Sequence, residues 1–410
     1  MDANTAASGQ GASPDTPLGA PPRHDLNIGL FVALMAHTVT VNAVVSLARI
    51  TTSYRAIELD LSVFWIGVIA GGFSLIPVFA AVWVGRFIDR GHDALSAWMG
   101  AFFMLLACAG FWLWPSSTLE LLAFSILLGF GHMFCMAGHQ MISVRCAGPV
   151  SREGVFGYHM IAIATGQGLG PMLLGWFGGD AKIPPTELLF TIALGGACLS
   201  QVVAFGLRRL PREADDAVER PRVSIGNLLA NRSLTMVLIA SVVTVTAFEL
   251  LVVYLPLLGA ERHIETRDVG ILLAVRSVVS IVARLFYARL LLMVGRKRLL
   301  VGCMFVGAGA FMLIGLPVSL PIMYLGIIAM GIGLGIAATL SFSEVVLLAP
   351  RDARATALSL RLTGNRIGQM MVPVLASLLA EATGIGGVLI IIAGLLAASG
   401  VSLQRILRHN

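Results

Sequence analysis

From Gly67 to Gly85 the chain carries no charged residue, and charges begin only with Arg86, Asp89 and Arg90. A helix needs about 20 apolar residues to cross the hydrocarbon core of a bilayer, and this run is of that order. No feature limits the fold more. In lipid every backbone polar group must be bonded internally, so runs of this length mean helices rather than open sheets. Twelve such spans can be marked, at about 27–48, 63–84, 94–114, 119–143, 155–178, 187–208, 233–256, 268–291, 298–316, 321–346, 354–380 and 385–404. Composition agrees: 57% of residues are hydrophobic and 12% charged, against about a quarter charged in soluble domains. The chain is read as an all-α polytopic membrane protein with 12 transmembrane helices.

The spans form two copies of one unit. Gly270 and Ala288 keep the spacing of Gly67 and Gly85, Ser277 stands where Ser74 stood, and the second copy ends in Gly295-Arg296-Lys297-Arg298. Gly129-x-Gly131 maps onto Gly331-x-Gly333, and Gly166-Gln167-(three)-Pro171 maps onto Gly368-Gln369-(three)-Pro373. Three matches in register predict two parallel six-helix repeats with a site between them. The expected divisions are a disordered tail at 1–25, a six-helix lobe at 26–208, a linker at 209–232, a second lobe at 233–405 and a short tail at 406–410. Val223 to Leu229 in the linker is a candidate surface helix.

Charge sets the orientation. Of the 28 Lys and Arg, 18 fall on the side of the N-terminal tail, from Arg23 to Arg408, and five inside spans. The opposite side holds Arg49, Arg55, Lys182, Arg262 and Arg267. The positive-inside rule then puts both termini in the cytoplasm, with a bacterial inner (plasma) membrane as the expected location. The net charge of +6 reflects this orientation, not a nucleic-acid partner. The tail has no apolar middle and so does not read as a cleavable signal. Cys108, Cys135, Cys146, Cys198 and Cys303 lack paired or metal-like spacing and read as small core residues. No phosphate-binding loop, metal-spaced cluster or nucleophile motif stands in a plausible context, so neither an enzyme nor a cofactor or metal is expected.

At this point the chain, over about residues 26 to 405, resembles the major facilitator superfamily. Gly85-x-x-x-Asp89-Arg90 is similar to that family's signature between the second and third helices, although His92-Asp93 stand where Gly-Arg is usual. The second copy keeps Gly295 and Arg296 but has Leu292 and Met293 at the Asp-Arg positions. The resemblance implies that Asp89 helps latch the lobes on the cytoplasmic side. Gly157-(eight)-Gly166-(three)-Gly170-Pro171-(two)-Leu174-Gly175 is similar to the fifth-helix motif of members that export by exchange against protons. Physically, glycines let a neighbouring helix approach and the proline bends its own. Ser125 stands where drug antiporters of the family often carry an arginine.

Ionisable residues at membrane depth are costly and are functional candidates by default. Glu249 and Arg276 lie at similar depths on adjacent antiparallel spans, so they are expected to pair. A carboxyl in that setting changes its proton affinity whenever its pairing changes; a fixed structural pair is the other reading. Glu344 is expected to pair with Arg354 or Arg361. Arg361 and Asn365 share a helix face while Arg366 points elsewhere, and the arginines offer either a positive wall for an anionic group or bonds to helix ends and lipid head groups. The resemblance implies that the first, fourth, seventh and tenth helices line the cavity, which selects His37, Asn42, His132, His139, Glu249 and Glu344. His132 and His139 are seven apart and so share a face, and histidine titrates near neutral pH.

The expected function is secondary active transport, powered by an ion gradient because no ATP-binding loop is present. The leading form is proton-coupled efflux of a small amphipathic compound by alternating access of two lobes in a protein that works as a monomer. The alternatives are a proton-coupled importer of an organic anion and a non-transporting receptor or assembly partner. Glu249, His132, His139 and Glu344 are the proton-coupling candidates, and His37, Asn42, Arg276, Arg361, Asn365 and Arg366 the cavity candidates.

Overall fold

The computed structural model describes residues 28–146, 152–207, 225–350 and 353–408, and among them every regular element is helical. The first lobe contains α1 (Ile28–Glu58), α2 (Val63–Gly72), α3 (Leu75–Asp89), α4 (Asp93–Leu113), α5 (Thr118–Cys146), α6 (Arg152–Phe177) and α7 (Thr186–Leu207). A short α8 (Ile225–Ala230) precedes the second lobe: α9 (Arg232–Glu261), α10 (Thr266–Leu285), α11 (Tyr287–Val294), α12 (Arg296–Gly315), α13 (Leu320–Leu348) and α14 (Arg354–Arg408).

Twelve crossings follow from these helices. The second is α2 plus α3, broken at Phe73-Ser74 just before Pro77, which has no N–H to give and so suits the first turn of the restarted helix. Gly129 sits directly against that break; a Cβ there would run into the Phe73 carbonyl. The eighth crossing is α10 plus α11, bent by 60° at Phe286 within the one span expected at about 268–291. At 55 residues α14 would run about 80 Å if straight, more than twice a bilayer core. It turns back at Gly384, whose φ of 68° favours glycine, and so supplies the last two crossings.

The first crossing departs from expectation in a way that matters. No helix breaker stands between Ala48 and Glu58, and α1 continues to Glu58 before Asp60 turns at φ 51°. Arg49 therefore lies inside the helix and not in an outer connection. Moving it inward leaves fewer positive charges on the outer side, which sharpens the asymmetry on which the orientation rests. The surface helix expected at Val223 to Leu229 appears as Ile225–Ala230, and most of the linker lies outside the described residues.

The lobes meet along α1 with α9, α2 with α14 and α6 with α10. These contacts concentrate on the side away from the chain termini. A Cβ on Gly67 would lie 2.5 Å from Ser377 Oγ, and one on Gly71 would lie 2.5 Å from the Met370 carbonyl. On α10, Gly270 packs against the backbone of Gly175, and Thr266 donates to the Ala181 carbonyl at 2.7 Å. Lipid tails give helices no hydrophobic reason to associate, so close backbone approach between small residues supplies the contact. On the terminus side Gly157 and Gly85 have open space around them, and Leu292 is 87% exposed. Among the described residues, the close approaches between the lobes lie at the end away from the chain termini.

Candidate functional site

A cavity of about 330 Å³ lies between the lobes, just on the terminus side of the closed contacts. Its polar wall combines Asn42 and Arg49 from α1, His132 and Gln140 from α5, Gln167 from α6, Glu249 from α9, Arg276 from α10, and Asn365, Arg366 and Gln369 from α14. Ser46 of α1 adds a hydroxyl, and the rest is apolar: Val45, Phe73, Met136, Met160, Ile163, Val245, Val252 and Leu362.

Glu249 does not pair with Arg276. Its carboxylate accepts from Arg49 Nη1 at 2.6 Å, so the ion pair joins the two lobes instead of two helices of one. The Arg49 guanidinium also lies 4.7 Å from the Phe73 ring centre. Arg276, only 1% exposed, donates to the Phe248 carbonyl at 2.7 Å and stacks 4.0 Å from the Phe248 ring centre. Arg366 donates to Gln369 Oε1 at 3.1 Å. Neither ring nitrogen of His132 has a hydrogen-bond partner among the described residues, and its ring lies 5.6 Å from that of Phe73. Three guanidiniums thus face one carboxylate in a space of reduced dielectric, where charges act more strongly than in water.

The other candidates lie elsewhere. His37 and His139 are fully buried inside the first lobe, bonded to one another and not to the cavity. The shared face of His132 and His139 holds only loosely: the helix lets His132 look into the cavity while His139 meets α1. Arg361 donates Nη2 to the Ala338 carbonyl at 3.1 Å and to Ser341 Oγ at 3.3 Å, tying α14 to α13. Glu344 pairs with Arg296 Nη1 at 3.3 Å, not with Arg354 or Arg361, and Arg296 also donates to Ser343 Oγ. The second signature copy is therefore anchored within its own lobe. In the first copy Arg90 follows the end of α3, and the side chain of Asp89 lies outside the described residues. Gly295, with φ 81°, separates α11 from α12.

The fifth-helix glycines have distinct neighbours. Gly166 and Gly170 press against Val39, Asn42, Ala43 and Ser46 of α1, while Gly175 faces Arg267 and Ile271 of α10. Pro171 lies within α6, and its carbonyl abuts Gly270. Ser125, in place of an arginine, donates to the Ile69 carbonyl at 2.8 Å and does not enter the cavity. Sequence reasoning missed Arg49, because the first span was ended at Ala48, one residue before it, while the helix runs on to Glu58. It also missed Gln167 and Gln369, although both stood inside the repeated motif and so occupy equivalent places in the two walls.

The Major Facilitator Superfamily model matches residues 26–265 and 237–409. The chain belongs to that superfamily. Among solved structures this superfamily member is similar to the nucleoside transporter NupG, with a TM-score of 0.74 and 14% identity over 93% of this chain and 100% of that one. It is also similar to a bacterial homolog of the human lysosomal transporter Spinster, in an inward-facing and unoccupied conformation (TM-score 0.71, 14% identity, 92% and 95% covered). A third is the human organic anion transporter MFSD10, at TM-score 0.65 and 16% identity, with 94% and 100% covered. At such identities the likeness concerns the fold. No curated protein matches the chain in sequence.

Proposed function

We propose that this protein is a secondary transporter of a small amphipathic organic anion, carried together with a proton by alternating access. One observation carries the reading: Arg49, Arg276 and Arg366 converge on a cavity whose single lining carboxylate, Glu249, already occupies Arg49. An anionic group entering the cavity competes with Glu249 for Arg49. A proton on Glu249 releases Arg49, so proton and anion favour each other's binding, which is the thermodynamic condition for moving both in one direction. The apolar lining around Met136, Met160 and Ile163 suits the body of such a compound, and methionine adapts to varied shapes. With both termini in a bacterial cytoplasm and one chain as the working unit, the end away from the close contacts between the lobes faces inward, and an inward proton gradient drives uptake.

The second reading is export in exchange for protons, and the fifth-helix glycines favour it, because they set α6 against α1 and α10 as that motif requires. A receptor or assembly role is the third. Proteoliposomes separate them. An imposed inside-alkaline gradient should drive accumulation of an aryl or alkyl carboxylate, abolished by Arg366→Ala and by dissipating the gradient. Accumulation only under an inside-acid gradient establishes exchange instead. No flux of carboxylates, neutral compounds or cations under either gradient overturns transport itself.

A further inference from the structure

Behind the cavity wall, four helices of the first lobe meet around three imidazoles with no exposed surface, His37, His139 and His159. His37 Nδ1 lies 2.5 Å from His139 Nε2, with the ring planes at 87°. The far nitrogens of this pair are engaged too: His37 Nε2 with Ser200 Oγ at 3.2 Å and His139 Nδ1 with Thr38 Oγ1 at 3.3 Å. Thr38 Oγ1 stands 3.5 Å from His159 Nδ1. The row Ser200, His37, His139, Thr38, His159 crosses α7, α1, α5 and α6.

Counting hydrogens shows what the row can hold. A neutral imidazole has one N–H, and the other nitrogen accepts. In the neutral row Ser200 donates to His37, His37 to His139, His139 to Thr38, and Thr38 to His159; the reverse direction works equally well. One extra proton also fits. His139 then donates from both nitrogens, to His37 Nδ1 and to Thr38 Oγ1, while the single hydrogen of His37 sits on Nε2 and goes to Ser200. Every bond survives. A second proton on the pair would set N–H against N–H across 2.5 Å.

We propose that His37 and His139 together form a binding site for one proton, separate from the substrate cavity. The ionisable groups facing His139 are His37, His159 and His132, and α7 contributes the neutral Ser200. No Lys, Arg, Asp or Glu among the described residues hydrogen-bonds to His37 or His139. A charge in a dry site is tolerated only when fully hydrogen-bonded, and this pair meets that condition in both states. The site reaches the cavity through α1: Asn42, which lines it, donates to the Thr38 carbonyl at 2.8 Å. Proton binding here is a property of the folded chain and does not rest on the direction or substrate of transport.

The test is 15N NMR of the purified protein with labelled histidine, titrated with acid. The expected result is uptake of one proton in a single step that changes both rings together, with one strongly deshielded shared hydrogen. His139→Gln should abolish the step at the remaining ring, His37. Should that variant fail to fold, Ser200→Ala removes the acceptor that the protonated pair requires, and uptake should demand more acid. Two rings that hold fixed neutral tautomers wherever the protein stays folded, or that take protons in two independent steps, would overturn the proposal.

Discussion

Glu249→Gln tests the cavity chemistry most directly. In the native protein an incoming anion must displace a carboxylate held 2.6 Å from Arg49, between side chains that are 13% and 20% exposed. Hydrogen bonds to charged groups contribute about 1.5–3 kcal/mol net, and partial exposure puts this one near the lower end, at about 2 kcal/mol. The amide keeps the shape but gives up most of that attraction, so an anion meets an unoccupied Arg49. At about 1.4 kcal/mol per decade, a carboxylate ligand should bind roughly 25-fold more tightly to the variant at a pH where Glu249 is ionised. Acid should erase the difference, because protonating Glu249 in the native protein does what the substitution does. Isothermal titration of purified native and variant protein with one aryl carboxylate, at neutral and at acid pH, reads both effects. Equal affinities at neutral pH, or native binding that weakens on acidification, would refute the competition between Glu249 and the anion.

Further outcomes follow from other residues. Arg366, whose hydrogen-bond partner among the described residues is Gln369, should tolerate Arg366→Ala with little change in melting temperature while carboxylate binding falls about 10- to 100-fold, the worth of one charge-assisted bond. Gly129→Ala forces a methyl into the Phe73 carbonyl and should destabilise by about 1–3 kcal/mol or more, read as a lower melting temperature. Gly302→Ala, with nothing within 4 Å, should instead leave stability unchanged or raise it by up to about 1 kcal/mol. Gly67→Leu should wedge α2 from α14 at Ser377 and shift the lobes toward the state open at the far side, visible as longer spin-label distances there.

The spans and their pairing were legible because lipid imposes one rule on every backbone group, and because glycines at helix crossings cannot drift without a clash. Gly67, Gly129 and Gly166 were repeat markers in the sequence, and each proves to touch a neighbouring helix. The cavity was less legible. Asn42, His132, Glu249, Arg276, Asn365 and Arg366 do line it, but the partners were misassigned, since pairing depends on helix rotation and on the other lobe. Arg49 was lost because hydropathy ends a span at the first charge, whereas a helix ends where its backbone breaks, and here that is ten residues later. His37 and His139 were placed in the cavity on the strength of which helices carry them, although only part of any helix faces the gap.

The meeting of Gly270 with Gly175 has a mechanical consequence. Two backbones in contact without side chains between them form a smooth bearing, about which α6 and α10 can tilt without pulling knobs from holes. From Gly175 to Gly157 the arm of α6 is about 27 Å long at 1.5 Å per residue. A rotation of about 15°, the size found between subunits that switch as rigid bodies, would sweep its far end by about 7 Å. That is enough to admit or exclude a molecule one aromatic ring wide. A branched side chain at either glycine would act as a tooth in that bearing, and would slow the swing before it weakened any bond to the cargo.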